Sequence, residues 1–194
     1  KNPKDLIVDV NGYKLQVIPG DLGISSELLM FKTHEPLTTK LLSKEIKKGM
    51  TCLDVGGNIG YYALLESRII GNSGKVIAIE PSPQNFQHLQ KNLELENAKN
   101  VESFNFAAGD KNGEVNFLVY KESNGSFTIP DGEKTDLPGD IIKVPVLLVF
   151  AENVPEEFIV RALAVESCTI FVRDEDLQAL KISYHANLNL SESP

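Results

Sequence analysis

The amino-acid sequence predicts an α/β fold, a mainly parallel, Rossmann-like sheet flanked by helices. Three short apolar segments are predicted strands, at 51–55, 75–80 and 101–106, and a helical pattern follows each of the first two. Strands and helices that alternate in this way form right-handed crossover units on a parallel sheet. The second segment, Lys75–Glu80, is almost continuously apolar, which is typical of a parallel strand covered on both faces.

An N-terminal hairpin and a helix are predicted before this sheet. Alternating apolar residues at 6–10 and 13–18 flank Asn11-Gly12, the strongest short-range hairpin signal. A helix is predicted over 37–48, because apolar residues recur at helical spacing and Gly49 can end it. The apolar face of that helix comprises Leu37, Leu41, Leu42 and Ile46.

Two further helices are predicted between the strands. The first runs over 59–70 and stops before a glycine, and the second begins after Ser82 with Pro83 at its first position. His88 falls off the apolar face of the second helix, so we expect its side chain to be solvated.

The C-terminal half has a different pattern. Strands are predicted at 114–120 and 141–150, separated by a polar segment at 121–140 that reads as a functional or mobile loop. Pro145 predicts an edge position for the second of these strands, since proline cannot donate to a ladder. Beyond residue 150 the pattern allows helices at 155–165 and 174–181 and a strand at 169–172.

The length of 194 residues predicts a single domain. We expect a hairpin and helix at 1–49, a ligand-binding core at 50–120, a loop at 121–140 and a divergent part at 141–194. The net charge of −8 and the lack of a basic patch argue against nucleic acid as a partner.

No apolar run approaches the length that crosses a bilayer, and no apolar signal core follows the first residues, so we expect a cytoplasmic protein without a membrane partner. Two cysteines and three scattered histidines indicate neither a disulfide framework nor a metal site.

A glycine-rich turn joins the first core strand to the helix that follows. The glycines are Gly56, Gly57 and Gly60, and Asn58 lies between them. Glycine lets the backbone pass close to a ligand, and the helix N-terminus offers free N–H groups and positive potential. The next strand ends in Glu80, where an acidic side chain in a doubly wound fold can accept hydrogens from a ribose diol.

The turn distinguishes between nucleotide-like ligands. Asn58 stands where the dinucleotide fingerprint requires glycine, and the Gly-Lys-Ser/Thr of a P-loop is absent, which disfavours a nicotinamide dinucleotide and a nucleoside triphosphate. Asp54, at the end of the strand, can receive a ligand ammonium group directly or through water. S-adenosylmethionine offers an ammonium group for Asp54, a carboxylate for the helix N-terminus and a ribose for Glu80, so we expect it to be the cofactor.

Several segments resemble FkbM-type S-adenosylmethionine-dependent methyltransferases. They are TCLDVGGNIGYY at 51–62, KVIAIEPSP at 75–83, residues 85–93, AAGD at 107–110 with GEV at 113–115, and EPLTT at 35–39. The resemblance covers roughly residues 5–147. It implies a class I methyltransferase fold and methyl transfer, commonly to a hydroxyl of a small molecule or a glycan.

The resemblance also implies roles for single residues. Asp54, Gly56, Gly57, Asn58 and Gly60 match the loop on the methionine side of the cofactor, and Glu80 matches the ribose acid. Asn105, Ala107 and Asp110 fall where the family lines the adenine.

The sequence departs from the FkbM pattern toward its C-terminus. The Asp-Val-Glu-Gly of the family's fourth strand has its nearest counterpart in Ala164-Val165-Glu166-Ser167, which makes Glu166 the candidate catalytic base. This departure supports an alternative in which the domain is catalytically impaired and serves as a cofactor-binding or interaction module.

Overall fold

The computed structural model describes residues 6–109, 113–120, 126–129, 132, 135–136, 138–148 and 168–172. The chain opens with the predicted hairpin, in which β1 (Ile7–Val10) pairs antiparallel with β2 (Tyr13–Gln16). Asn11 and Gly12 both have positive φ, at 49° and 82°, as the favoured two-residue hairpin turn requires.

Two helices follow, α1 (Ile24–Phe31) and α2 (Pro36–Glu45). The sequence did not predict α1, although Asp21 accepts hydrogen bonds from the backbone N–H groups of Gly23 and Ser25 just before and inside it. The predicted helix at 37–48 is α2, which ends at Glu45 because Ile46 has extended backbone angles. Leu37 is 84% exposed and does not belong to the buried face that the spacing predicted.

The central sheet confirms the predicted parallel core. Its parallel strands β3 (Thr51–Val55), β4 (Lys75–Ile79) and β5 (Val101–Phe104) lie side by side in chain order. The connecting helices are α3 (Tyr61–Ile70), followed by one 3-10 turn, and α4 (Pro83–Leu95). The prediction placed the end of the third strand at 106, two residues beyond the observed end of β5.

A second sheet is built from the segment that follows. Its strands are β6 (Ala107–Gly109), β7 (Gly113–Tyr120), β8 (Ser126–Ile129) and β9 (Gly139–Leu148), in the order β6-β9-β7-β8. Strand β10 (Cys168–Val172) belongs to the central sheet, where it pairs antiparallel with β3.

Two expectations for this region were wrong. Strand β8 lies inside the segment at 121–140 that was expected to be a loop, and it pairs with β7. Strand β9 is an interior strand, although Pro145 predicted an edge. Pro145 is tolerated because the pairing with β6 begins only at Val146, so at Pro145 itself β9 is paired with β7 alone.

The main apolar core lies between the hairpin, α3, α4 and the central sheet. Tyr13, Leu15, Tyr61, Leu64 and Leu89 are among its fully enclosed members. A separate cluster of Ala107, Phe117 and Val144 forms the core of the second sheet. Within the ranges described, no helix has both the length and the apolar character needed to cross a membrane.

Candidate active site

The predicted glycine turn connects β3 to α3 at the carboxyl ends of the parallel strands. The backbone N–H groups of Gly56 and Gly57 both donate to the carbonyl oxygen of Ile79, at 2.8 and 3.0 Å. These bonds fix the turn against the end of β4, which directly precedes Glu80. The structure therefore brings the glycine turn and the predicted ribose acid together.

Gly60 is the position at which this turn most clearly requires glycine. Its φ is 94°, and an added Cβ would lie 2.8 Å from Cδ1 of Leu89 in α4. Leu89 is fully buried, so its side chain must shift within the packed core to admit that Cβ. The close contact lets α3 begin directly after the turn, packed against α4, and its first-turn N–H groups have no partner within the helix.

Glu80 is 4% exposed and is held by the backbone on both sides. Its Oε2 accepts from the N–H of Asn58 and its Oε1 from the N–H of Ser82, both at 2.8 Å. Burial raises the pKa of this carboxyl to about 7, while the hydrogen bonds from Ser82, Asn58 and Asn85 act in the opposite direction. These three hydrogen bonds occupy three of the roughly four acceptor positions of the carboxylate, which leaves about one for a ligand hydroxyl.

Asp54 is completely buried at the end of β3. Within the described part of the chain neither carboxyl oxygen has a hydrogen bond of good geometry, and the backbone N–H of Ala63 is the donor that faces the group and lowers its pKa. Burial is the main cause that raises its pKa, and the nearby charge of Glu80 adds to it.

The location of Asp54 modifies its expected role. A Cβ on Gly57 would lie 3.4 Å from Oδ2 of Asp54, so the carboxyl sits directly under the turn. A direct contact between this carboxyl and a ligand ammonium group, which the sequence suggested as one option, does not fit that position.

The residues expected on the adenine side have mixed placements. The side-chain amide of Asn105 donates to the carbonyl oxygens of Glu80 and Pro81, at 2.7 and 3.0 Å, and so stabilises the segment that carries the ribose acid. The side chain of Ala107 packs in the core of the second sheet, which leaves only its backbone for a ligand. Asp110 and Glu166 lie outside the described residues.

His88 differs from the prediction. Its side chain is partly buried in α4, and burial, together with the charge of Lys91, lowers its pKa. It was expected to be solvated because it falls off the apolar stripe of α4. The partial burial shows that packing against α4 extends beyond that stripe.

A polar cluster beside the first turn of α3 was largely missed by sequence reasoning. The phenol of Tyr61 accepts from Asn11 Nδ2 at 2.9 Å and from the backbone N–H of His34 at 3.2 Å. The phenol of Tyr62 donates to Oε2 of Glu35 at 2.8 Å. The only sequence signal for this cluster is the His34-Glu35-Pro36 segment at the start of α2.

The arrangement fits S-adenosylmethionine on three structural grounds. The turn contains glycines at 56, 57 and 60, the N-terminus of α3 follows it directly, and the acidic Glu80 lies beside it, where a ribose diol is bound in doubly wound folds. No group of three or more histidine, cysteine, aspartate or glutamate side chains in the described residues is arranged to hold a metal ion.

A parallel sheet flanked by helices, with this turn and acidic residue, is the fold of the class I S-adenosylmethionine-dependent methyltransferases. Within that class, the family model of protein-L-isoaspartate(D-aspartate) O-methyltransferase matches residues 13–117, more than half of the chain. The chain belongs to this family. The class I fold and the cofactor that the FkbM resemblance implied are therefore confirmed, while an FkbM-type group in particular stays a prediction.

Curated relatives match only parts of the chain. Methyltransferase 1 of Beauveria bassiana is 31% identical over 84 residues, covering 43% of this chain and 33% of the relative. Protein-L-isoaspartate O-methyltransferase of Methanococcus maripaludis is 40% identical over 58 residues, covering 30% and 27%.

A solved S-adenosylmethionine-dependent methyltransferase from Aquifex aeolicus is 29% identical, with a TM-score of 0.34 over 44% of this chain and 42% of the other. The chain spans between 18% and 44% of the lengths of the curated relatives that it matches.

Proposed function

We propose that this chain binds S-adenosylmethionine across the turn at 56–60 and transfers its methyl group to an oxygen of an acceptor. The observation that carries the proposal is the contact between Glu80 and the backbone N–H of Asn58, at 2.8 Å. It places an acidic acceptor group next to the glycine turn and to the N-terminus of α3, the combination that an adenosyl amino acid requires.

Each part of the site has a proposed task. Glu80 accepts hydrogen bonds from the ribose diol, and the first-turn N–H groups of α3 bind the amino-acid carboxylate. Asp54 supports the turn from below. On the adenine side we propose Asn105, the backbone of Ala107, and Asp110.

When bound, the cofactor supplies an electrophilic methyl group on a sulfonium. The contribution of the protein is to hold donor and acceptor in line and to exclude water, and well-oriented pairs can gain on the order of 7–11 kcal/mol in this way. A hydroxyl acceptor also needs a positioned base. Glu166 remains our candidate for that base.

Our first candidate acceptor is a hydroxyl group of a small molecule or a glycan. The FkbM-type resemblance of the segments at 51–62 and 75–83 supports this choice. The product would be a methyl ether, and its formation would depend on the base.

A second candidate acceptor is the carboxyl group of an isoaspartyl residue in a protein. The family match over residues 13–117 supports it, as do relatives named protein-L-isoaspartate O-methyltransferase. A carboxylate is already deprotonated at neutral pH, so this reaction would not need a general base. The product would be a methyl ester.

Transfer of a tritiated methyl group separates the two candidates. The protein is incubated with labelled cofactor and an isoaspartyl peptide, with the aspartyl peptide of the same sequence as control, and in parallel with a set of glycosides. Mild alkali converts a methyl ester to volatile methanol and leaves a methyl ether intact. Volatile label from the isoaspartyl peptide alone supports the carboxyl acceptor, and alkali-stable label on a glycoside supports the hydroxyl acceptor.

The same experiment tests whether the domain turns over at all. If the chain binds S-adenosylhomocysteine but labels no acceptor in either set, the result favours the alternative of a cofactor-binding module without activity. If it binds no S-adenosylhomocysteine, the proposed function is wrong.

A further inference from the structure

We propose that Glu35 is a cofactor-positioning residue whose carboxylate pairs with the ammonium group at the amino-acid end of the cofactor. The inference rests on the proposed function, because it assumes an S-adenosyl amino acid in the site. It assigns a role to a residue from the connection before α2, outside the glycine turn and the strand ends.

The position of Glu35 is fixed by α3. Its Oε2 accepts from the phenol of Tyr62 at 2.8 Å, and Tyr62 is the second residue of α3, two positions after Gly60. Tyr62 is 4% exposed, so its ring is held within the fold. The carboxylate of Glu35 is thereby held at the phenol end of a side chain that starts in the first turn of α3.

The chemistry of an amino acid favours a negative charge at this place. Its carboxylate and its ammonium group are attached to the same carbon. When first-turn N–H groups of α3 bind the carboxylate, the ammonium group must lie beside the same helix end. A carboxylate held next to that turn can pair with it by a charge-assisted hydrogen bond.

The other acidic side chains near the turn are less suited to this task. Asp54 lies under Gly57, completely buried. Glu80 is engaged by two backbone N–H groups at the end of β4. Glu27 pairs with the imidazole of His34.

Glu35 itself remains accessible to a ligand. It is partly exposed, and within the described ranges it forms no ion pair with a lysine or an arginine. The phenol of Tyr62 uses only one lone pair of one oxygen, so the carboxylate retains acceptor capacity for an ammonium group. The imidazole of His34 packs near the rings of Tyr61 and Tyr62, with centroids 5.6 and 6.0 Å away.

Isothermal titration with two ligands tests the assignment. S-adenosylhomocysteine carries the amino-acid end, whereas 5′-methylthioadenosine has the same nucleoside and sulfur without it. We expect Glu35→Gln to weaken the binding of S-adenosylhomocysteine about ten- to hundredfold and to leave the binding of 5′-methylthioadenosine unchanged. The amide preserves an acceptor for Tyr62, so the first turn of α3 stays in place.

Two further variants make the experiment specific. Glu45→Gln removes the same charge at the other end of α2, where the side chain is exposed, and should change neither affinity. Tyr62→Phe keeps the ring but removes the hydrogen bond to Glu35. It should weaken the binding of S-adenosylhomocysteine less than Glu35→Gln does.

The sign and the pattern of the change decide the outcome. If Glu35→Gln weakens the binding of S-adenosylhomocysteine alone, Glu35 has a cationic partner in the ligand. If Glu35 instead faced the carboxylate of the ligand, removal of its charge would strengthen binding. Unchanged binding overturns the assignment, and so does an equal loss of both ligands, which would indicate a role in folding. If the unmodified protein binds neither ligand, the proposed function fails and the assignment fails with it.

Discussion

The side-chain amide of Asn92 in α4 pairs with the backbone of Gln16 at the end of the hairpin. Its Oδ1 accepts from the N–H of Gln16 at 2.7 Å, and its Nδ2 donates to the carbonyl oxygen of Gln16 at 3.0 Å. The same Nδ2 donates to the carbonyl oxygen of Ile59 in the glycine turn, at 2.8 Å. One completely buried amide thus joins the hairpin, α4 and the ligand-binding turn.

Asn92→Ala should therefore destabilise the fold. The substitution removes the side-chain donor to the carbonyl oxygen of Ile59, a completely buried residue, and we expect a loss of about 2 kcal/mol in the free energy of unfolding. Urea denaturation measures it. Gln90→Ala, at an exposed position of the same helix, should change stability by less than about 0.5 kcal/mol. Equal stability of the two variants would contradict the role of Asn92.

Gly60→Ala should be more harmful than its backbone angle alone predicts. Gly20 has φ of 83° and nothing within 4 Å of an added Cβ, so Gly20→Ala reports the cost of the left-handed conformation, about 1–2 kcal/mol. Gly60→Ala adds a Cβ 2.8 Å from Cδ1 of Leu89 and should cost about 1–3 kcal/mol more. Chemical denaturation of the two variants gives the difference, and a difference near zero would mean that the turn can shift away from α4.

Glu80→Gln should weaken the binding of both S-adenosylhomocysteine and 5′-methylthioadenosine, because both ligands carry the ribose. The amide group also turns a donor toward the N–H of Asn58 or of Ser82, so we expect a loss of about ten- to hundredfold. Glu102→Gln serves as control, since this exposed side chain pairs with Lys75 at the opposite end of the sheet. Titration calorimetry on both variants tests the assignment. Normal binding of both ligands by Glu80→Gln would show that Glu80 is not the acidic residue that binds the ribose.

Asp54→Asn should alter how stability depends on pH. Because the folded protein raises the pKa of Asp54 above its unfolded value, the folded state binds the proton more tightly. The stability that this proton contributes is present at low pH and is lost as pH rises through the folded pKa. The variant has no carboxyl to titrate at this position. Between pH 5 and 8 its free energy of unfolding should therefore rise relative to that of the wild type, on the order of 1.4 kcal/mol for each pH unit between the two pKa values.

Thermal unfolding at pH 5 and pH 8 measures this gain. Asp9→Asn, which removes an exposed carboxylate from β1, should follow the wild type at both values. A constant difference between Asp54→Asn and the wild type across this range would show that Asp54 is ionised in the fold throughout.

The sequence predicts this structure best where local signals and packing agree. Asn11-Gly12 alone specifies the hairpin turn, since both residues must take positive φ. Ser82 and Pro83 specify the start of α4, and the hydroxyl of Ser82 accepts from the backbone N–H of Asn85 at 3.4 Å. The glycine turn and Glu80 were found from spacing alone, because the strand ends that carry them meet in any doubly wound sheet.

The rest depends on contacts between distant segments. The apolar residues Met30, Phe31 and Leu37 remain exposed, so the hydrophobic pattern gives no helical face for α1 and a misleading one for α2. Pro145 predicted an edge position for β9. The sequence of β9 does not show that β6 pairs with it only over residues 146–148, just after the proline. The contact of Glu35 with Tyr62 joins residues 27 positions apart, and no local pattern predicts it.

The phenol of Tyr61 has consequences beyond the site that it borders. The phenol accepts hydrogen bonds from Asn11 in the hairpin turn and from the backbone N–H of His34 in the connection between α1 and α2. Tyr61 is also the first residue of α3. A ligand that shifts the first turn of α3 would therefore change the hydrogen bond between Tyr61 and Asn11. The side-chain amide resonance of Asn11 should thus serve as a remote reporter of occupancy, readable by NMR even before any acceptor is known.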